Sequence, residues 1–448
     1  MKRFITLLLT FTFIFILVGC GSKIVGEKID FSQSQSKKVK LIVWLDDDKG
    51  ILSGELAQTF MNKYPNIIVD IRHAATVDAR ERLKTFGDAG GDIFQFPHDH
   101  MAQAILEDLV YPLPDQLYQS LQPRINQVAL DISSTSYNPE TKKFGEGNKQ
   151  LFAVPISIES VALYYNIDLL NKIHGEGNWS VPETMEEMIT LAQAYEPVVI
   201  NEGEGTPIKS SRYYFATGSH WGDQYFNQFI YSAFNWRPFG ENGDNDEVVG
   251  FENPNLTAAL EWMITNLKPI TTGTGNHDSV SGQNLFEEGK QPYLLTGPWA
   301  ISTFVNADVN FEVATLPSIN DAPTRTYAGA QMIAVYKYSK NKEAAVKFVE
   351  FMASDEAAEI IYRIQNKLPA LNNDSLENIE GLRQNQALKA TSAQLETSIP
   401  MPTIPAVTYY WGPGETMLRN IWNSGKLITE EQAAAEAAYQ AAKALANK

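Results

Sequence analysis

Residues 39–45 read VKLIVWL, and the polar sequence DDDKG follows directly at 46–50. A continuous apolar run of this length is typical of a strand that is buried on both faces of a sheet. The residues after it carry apolar side chains at a helical spacing, namely Ile51, Leu52, Leu56, Phe60 and Met61. This part of the chain therefore predicts a buried strand, a charged turn and an amphipathic helix.

The same alternation of strand and helix continues along the chain. Further strands are predicted at 67–71, 92–96 and 154–158, and further helices at 77–86, 99–106, 255–267 and 429–448. Strands that alternate with helices form a parallel sheet that helices cover on both faces, which predicts an α/β fold. Ligands of such sheets bind outside the carboxyl ends of the strands.

Acidic side chains follow three of the predicted strands. Asp48 comes after the first strand, Asp99 after the third, and Glu159 after the strand at 154–158. Their position at strand ends makes them candidates for ligand binding. Acids are also favoured in the first turn of a helix, where they accept from free N–H groups, so a structural role is the alternative for each.

Two tryptophans lie in turns that glycine and proline constrain. Trp299 ends the sequence TGPW at 296–299, and Trp411 lies within YYWGPG at 409–414. Such turns fix the backbone and hold the indole at a surface. A rigid apolar ring beside acids suits a pyranose, because the sugar packs its C–H face on the ring while its hydroxyls seek acceptors. Packing in the core is the alternative for either ring.

Neither a metal nor a cofactor is predicted. The sequence at 46–50 resembles part of a calcium loop, but the alternating ligands and the closing glutamate are missing. His98 and His100 could share one face of a strand, but no third zinc ligand of clear type is nearby. The sequence contains no glycine-rich phosphate loop of the P-loop type.

The chain of 448 residues is acidic, with a formal net charge of -17 at pH 7. This charge argues against nucleic acid as a partner, because phosphates need a basic surface. It also argues against binding of the protein body to anionic lipid. The length predicts two or more domains.

The first residues have the features of a signal peptide. Lys2 and Arg3 precede an apolar run at 4–18, which is too short to span a bilayer, and Gly19-Cys20 follows. We therefore expect a signal peptide at 1–19, lipidation of Cys20 and a flexible tether at 20–38. The alternative is an ordinary signal peptide that contains a cysteine. Cys20 is the only cysteine, so its lipidation excludes disulfides and cysteine nucleophiles.

Several motifs together resemble the extracellular solute-binding proteins of carbohydrate ABC importers, and most closely the maltose/maltodextrin-binding proteins. The resemblance covers nearly all of residues 40–448. The stretches that carry it are KLIVW at 40–44 with DKG at 48–50, GDI at 91–93 with PHD at 97–99, PISIE at 155–159, YYNIDLL at 164–170, TGPWA at 296–300, and MPTIP at 401–405 with Trp411.

The resemblance implies a set of sugar-binding residues. Those that match the family's pattern are Asp48, Lys49, Asp99, Glu159, Asp223, Tyr225, Trp299 and Trp411. Two further positions depart from it: His100 stands where the maltose binders have arginine, and Phe96 where they have tryptophan. His100 removes a charged bidentate donor, and Phe96 keeps a stacking face without the indole N–H.

The resemblance also implies a two-lobed periplasmic-binding-protein-like fold with a hinge and a ligand cleft between the lobes. One lobe is expected at 39–154 plus 332–380, and the other at 155–331 plus 381–448. A ligand that contacts both lobes favours the closed form, which the permease subunits of an importer would recognise.

The resulting hypothesis is a monomeric, non-enzymatic lipoprotein on the outer face of the cytoplasmic membrane, held there only by its lipid, that binds malto-oligosaccharides. Two alternatives stay open. His100 and Phe96 are consistent with a binder for a different oligosaccharide or a polyol. An exported glycoside hydrolase would need only two carboxylates about 5–9 Å apart, and the chain has many acids.

Overall fold

The computed structural model describes residues 38–87, 90–195, 213–241, 243–271, 282–382 and 385–446. The predicted signal peptide, the lipidation site Cys20 and the tether up to residue 37 lie outside these ranges. Within them, no helix combines the length and the apolar character that crossing a membrane requires.

The described residues form an α/β protein of two lobes. Its strands are β1 (Val39–Leu45), β2 (Ile67–His73), β3 (Ile93–Pro97), β4 (Ser134–Asn138), β5 (Lys143–Leu151), β6 (Val154–Glu159), β7 (Ala162–Asn166), β8 (Phe215–Thr217), β9 (Tyr293–Thr296), β10 (Phe311–Ala314), β11 (Tyr327–Val335) and β12 (Ile399–Pro400).

The α-helices are α1 (Ile51–Lys63), α2 (Thr76–Phe86), α3 (Met101–Leu106), α4 (Asp115–Leu121), α5 (Gln127–Ile132), α6 (Ile167–His174), α7 (Met185–Ala194), α8 (Gln224–Ala233), α9 (Pro254–Trp262), α10 (Gly282–Glu287), α11 (Ile301–Asn306), α12 (Lys342–Phe351), α13 (Asp355–Gln365), α14 (Asn373–Leu376), α15 (Gln386–Thr397), α16 (Trp411–Ser424) and α17 (Ile428–Ala446). Short 3₁₀ turns cover His98–His100, Lys268–Ile270, Pro298–Ala300 and Pro405–Tyr409, and a π turn covers Met263–Leu267.

The first sheet has the strand order β12-β11-β3-β1-β2, and β6 also pairs with β11. As predicted, β1 runs parallel to β2 and β3, whereas β11 runs antiparallel to β3 and β6. Successive side chains enter cores on opposite faces. Val43 and Ile93 pack in one core with Phe60 of α1, and Trp44 packs in the other with Leu83 of α2.

The second sheet has the order β10-β7-β9-β8 and carries an aromatic core. Strand β7 runs antiparallel to β9 and β10, and β8 runs parallel to β9. Trp221 is fully buried there and stacks on Trp422 of α16 with 5.7 Å between ring centroids. A third, two-stranded sheet joins β4 and β5.

The pairing of β6 with β11 joins residues from both sides of the predicted lobe boundaries in one sheet. The sequence places boundaries at 154/155 and 331/332, which cut through these two strands of the first sheet. Ala330 pairs with Ile158, and Ile333 pairs with Val154, so both strands belong to that sheet. The chain therefore leaves the first sheet after residue 159 and returns at residue 327. The rest of the predicted division into 39–154 plus 332–380 and 155–331 plus 381–448 stays a prediction.

Three hydroxyl side chains meet where the chain crosses between the sheets. Ser160 follows β6, Thr326 precedes β11, and Ser398 precedes β12. Thr326 Oγ1 lies 2.7 Å from Ser398 Oγ, Ser160 Oγ lies 3.2 Å from Ser398 Oγ, and Ser160 and Thr326 hydrogen-bond to each other. Ser160 and Thr326 are fully buried. We call these three residues the hydroxyl cluster, and they connect three crossings through side-chain hydrogen bonds.

The substitution Thr326→Val tests the hydroxyl cluster, because valine keeps the shape of the side chain and removes its hydroxyl. A buried polar group that loses its partner costs about 1–3 kcal/mol, so we expect the free energy of unfolding in urea to fall by about that amount. The matched control is Thr190→Val on the exposed surface of α7, which should change it by less than about 0.5 kcal/mol. Equal effects of the two changes would contradict a stabilising role for the cluster.

Candidate functional site

A cavity of about 430 Å³ lies between residues of the two lobes. The first lobe contributes the carboxyl end of β3 with the turn after it, the end of β6, and part of β11. The second contributes the start of α8, the turn that carries Trp299, and the start of α16. The lining residues are Val77, Pro97, His98, Asp99, His100, Glu159, His220, Asp223, Gln224, Tyr225, Phe226, Trp299, Gly329, Ala330, Met401, Trp411 and Glu415.

The structure brings most of the predicted site residues together at this cavity. Those among its lining residues are Asp99, His100, Glu159, Asp223, Tyr225, Trp299 and Trp411. Met401, the first residue of the MPTIP stretch, also lines it. Residues that are far apart in the chain therefore converge on one cavity from both lobes.

Phe96 does not line the cavity. Its side chain is fully buried and stacks on Phe94 with 5.1 Å between ring centroids. Residues two apart on a strand point to the same face, and this face packs against α2 and α3, where Leu83 and Met101 lie in the same core. The structure therefore gives Phe96 a position in the core in place of the predicted stacking surface.

Asp48 and Lys49 are exposed on the turn between β1 and α1 and are not among the lining residues. Among the three acids at 46–48, Asp47 is the one that stabilises the start of α1. Its Oδ2 accepts the backbone N–H of Ser53 at 2.7 Å and so stabilises the first turn of α1. A sugar contact by Asp48 or Lys49 stays a prediction from the resemblance.

His98 lines the cavity, although the sequence analysis considered it only as a zinc ligand and rejected that role. The backbone N–H of Ala330 donates to His98 Nδ1 at 3.1 Å. Burial lowers the pKa of His98 to about 4, so the ring is neutral at pH 7. Its Nε2 is buried without a hydrogen-bond partner among the described residues. Because Nδ1 accepts, Nε2 carries the proton and can donate to a ligand.

Glu159 stands at the end of β6, next to the hydroxyl cluster. Gln331 Nε2 donates to Glu159 Oε1 at 3.4 Å. Burial raises the pKa of Glu159, and the negative charge of Asp99 acts in the same direction, while Lys367 lowers it. The carboxyl group is thus poorly solvated and accepts few hydrogen bonds from the protein. It is therefore available to accept hydrogen bonds from ligand hydroxyls.

Asp223 and Tyr225 begin α8. Asp223 is its N-cap: Oδ1 accepts the backbone N–H of Tyr225 at 3.0 Å, and Oδ2 accepts the hydroxyl of Ser219 at 2.8 Å. Burial raises the pKa of Asp223 in spite of these bonds. The sequence could not separate a capping acid from a ligand-binding acid, and the structure shows one residue in position for both.

The hydroxyl of Tyr225 is buried and has no hydrogen-bond partner among the described residues. Burial raises its pKa well above 10, and the nearby charges of Glu159 and Asp223 add to the effect, so the hydroxyl keeps its proton. Gly329 makes room for it, because a Cβ at that position would lie 3.1 Å from Tyr225 Oη and 3.3 Å from Glu159 Cγ.

The two tryptophans that line the cavity are held by their neighbours in the chain. The ring of Trp299 folds back over Gly297, where a Cβ would lie 2.2 Å from Trp299 Cζ3. This contact explains the glycine in TGPW. Trp411 begins α16 and rests on Tyr410, with 4.9 Å between ring centroids. Both indoles are partly exposed, so each keeps an open surface.

Gln224 links the start of α8 to the start of α16. Its Oε1 accepts the hydroxyls of Tyr231 at 3.2 Å and Tyr410 at 3.3 Å, and its Nε2 donates to the carbonyl of Gly222 at 2.8 Å. Gly414 lets the helices approach, because a Cβ there would lie 2.8 Å from the Gln224 side chain. The network fixes Tyr410, on which Trp411 rests. Nothing in the sequence singled out Gln224.

The charged side chains that line the cavity are mainly acidic. Four acids line it, namely Asp99, Glu159, Asp223 and Glu415, and no lysine or arginine is among the described lining residues. His220 is buried there, with its Nε2 4.0 Å from Glu415 Oε1. In the described part of the chain, no group of three or more His, Cys, Asp or Glu side chains could hold a metal ion. Carboxylate acceptors beside aromatic faces suit a neutral ligand with many hydroxyls.

The raised pKa of Glu159 predicts a pH-dependent stability effect. Its folded-state pKa lies above the ordinary 4.5, so its contribution to stability is greatest below pH 4.5 and is lost as the pH rises through the folded pKa. At pH 7, where this carboxyl group is charged in the unfolded chain, its burial opposes folding. We expect Glu159→Gln to raise the free energy of unfolding at pH 7, with the gain shrinking towards pH 4, in denaturation series at several pH values.

The exposed Glu176→Gln is the matched control for that series and should have little effect at any pH. A gain for Glu159→Gln that is the same at pH 4 and pH 7 would contradict burial of the charge as its cause.

The family model for bacterial extracellular solute-binding proteins matches residues 55–390. The maltooligosaccharide ABC transporter solute-binding lipoprotein of Streptococcus pneumoniae is 23% identical over 408 residues, which cover 90% of this chain and 88% of that protein. The galactooligosaccharide-binding protein of Bacillus subtilis is 24% identical over 420 residues, covering 90% and 89%.

Among solved structures, MalX from Streptococcus pneumoniae in complex with maltopentaose aligns with a TM-score of 0.72. The alignment covers 90% of this chain and 100% of that chain at 19% sequence identity. This likeness confirms the predicted two-lobed fold.

Proposed function

The chain belongs to the bacterial extracellular solute-binding proteins, and we propose that it binds a malto-oligosaccharide between its lobes and delivers it to the membrane subunits of an ABC importer. One observation carries the proposal. Acids from both lobes and indoles from the second lobe line one cavity that has no lysine or arginine among its described lining residues. The similarity to a maltooligosaccharide-binding lipoprotein supports the ligand class.

Each part of the cavity has a role in this proposal. Glu159 and Asp99 accept hydrogen bonds from sugar hydroxyls, and the Tyr225 hydroxyl and His98 Nε2, which have no described protein partner, contact sugar oxygens. Trp299 and Trp411 pack on pyranose faces. A sugar that contacts both lobes binds the closed form better than the open form, so binding shifts the population to the closed form.

A solute-binding protein of this family works outside the cytoplasm. We propose that lipidated Cys20 anchors the chain to the outer face of the cytoplasmic membrane and that residues 20–38 form the tether. The name of the streptococcal relative supports the anchor, because that protein is a lipoprotein. In this proposal the protein is a monomer, and the permease subunits recognise its closed form.

A galacto-oligosaccharide is the second candidate ligand. The galactooligosaccharide-binding relative shares as much of this chain as the maltooligosaccharide-binding one. His100, which stands where the maltose binders have arginine, also lines the cavity. The two ligands share hydroxyl and pyranose chemistry, so the acids and indoles alone do not separate them.

Isothermal titration with maltotriose, maltotetraose and galactotriose tests the proposal. We expect micromolar binding of a malto-oligosaccharide, about -8 kcal/mol. Trp411→Ala and Trp299→Ala should each weaken it at least about tenfold, or about 1.4 kcal/mol, because a stacking surface is lost. Glu159→Gln should also weaken malto-oligosaccharide binding, although we expect this substitution to stabilise the free protein at pH 7.

The control is Phe86→Ala, which removes an exposed aromatic ring outside the cavity and should leave the affinity unchanged. Tighter binding of galactotriose would favour the second candidate. Absence of heat with every sugar would contradict both ligand assignments. Release of shorter sugars during prolonged incubation would instead indicate a glycoside hydrolase.

A further inference from the structure

A second cavity, of about 800 Å³, lies in the second lobe and shares no lining residue with the first. The later part of α8, the loop after it, the start of α9 and the segment before β11 form its walls. Ile399 of β12 lines it, and Met401, two residues further on, lines the first cavity, so the two cavities approach each other at this segment.

Gln228 supplies a buried polar group at this second cavity. The residue is fully buried, and its Nε2 donates to the carbonyl of Trp236 at 3.2 Å. Its Oε1 has no hydrogen-bond partner among the described residues. A buried amide oxygen without a partner is unfavourable, and a hydroxyl donor inside the cavity would satisfy it. Asn253 and Asn255 add further amide groups to the wall.

Two arginines give the second cavity the opposite charge to the first. Arg237 and Arg325 line it, and Glu241 is the one acid among its described lining residues. Arg237 is half-buried and its Nε donates to the carbonyl of Gly240 at 3.3 Å, Arg325 is exposed, and neither has an ion-pair partner within the described part of the chain. With 53 acidic and 36 basic residues in the chain, two arginines without a described carboxylate partner at one cavity point to a negatively charged ligand.

We propose that the second cavity binds an anionic monosaccharide, that is, a sugar that carries a carboxylate or a phosphate. The planar guanidinium groups of Arg237 and Arg325 hold the anionic group, since their paired N–H donors match the oxygens of either anion. Gln228 Oε1 accepts a hydroxyl of the same ligand. This site is separate from the proposed oligosaccharide site and does not depend on it.

Titration of the purified full chain with glucuronate and with glucose 6-phosphate tests the second site and distinguishes the two anions. We expect one of them to bind, and neutral glucose to bind at least about tenfold more weakly. Arg237→Gln and Arg325→Gln should each weaken binding of the anionic sugar at least about tenfold. The matched control is Arg82→Gln on the exposed face of α2, which should leave the affinity unchanged.

Variants of the first cavity separate this proposal from the proposed function. Trp411→Ala should leave binding of the anionic sugar unchanged, and the two arginine variants should leave the maltotriose titration unchanged. The second site is refuted if neither anionic sugar binds, if Trp411→Ala abolishes their binding, or if acetate and inorganic phosphate bind as well as the sugars, which would indicate an adventitious ion only.

Discussion

The hydroxyl cluster connects the places where the chain crosses between the two sheets, and the rest of the site is built outward from it. Glu159 precedes Ser160, and Tyr327 follows Thr326. The Tyr327 ring lies 6.0 Å from that of Tyr225 and 6.4 Å from that of Trp411, measured between ring centroids. The chain segments that cross between the lobes are thus continuous with the walls of the cavity, so a change of angle between the lobes would move binding groups directly.

The cavity contains several groups that weaken the free protein. Burial raises the pKa of Glu159 and Asp223, which means that their charged forms are poorly solvated. The hydroxyl of Tyr225 and Nε2 of His98 are buried without described partners. A core of the same size would be more stable with apolar residues at these positions. Their presence is understandable if a ligand supplies the missing hydrogen bonds, and the stability lost in the free protein then becomes a preference for the bound state.

The sequence predicted β1, β2, β3 and β6 of the first sheet because long apolar runs and helical spacing are local signals, but it did not predict β11 or β12. Strand ends and glycine–proline turns constrain where a side chain can lie, and on that basis the sequence predicted Asp99, Glu159, Trp299 and Trp411. Asp223 followed only from the resemblance, and Glu415 was not predicted. The burial of Phe96 was not predicted either, because the sequence around a strand end does not show whether an aromatic side chain lies on the core face or on the ligand side. Gln224 and His98 were missed as site residues because their roles depend on partners far away in the chain, Tyr410 and Ala330.

Charge explains how one chain can keep two classes of sugar apart. Four carboxylates line the first cavity without a described lysine or arginine, so a sugar acid there would meet like charges at short range in a poorly solvated space. A neutral oligosaccharide has no such penalty and gains from the indole surfaces. Among the described lining residues of the second cavity are two arginines, one acid and one tryptophan, Trp236, which is 4% exposed, so the cavity offers little stacking surface and attracts an anion instead. Each cavity thus disfavours the ligand class of the other, because charge and aromatic surface are distributed in opposite ways between them.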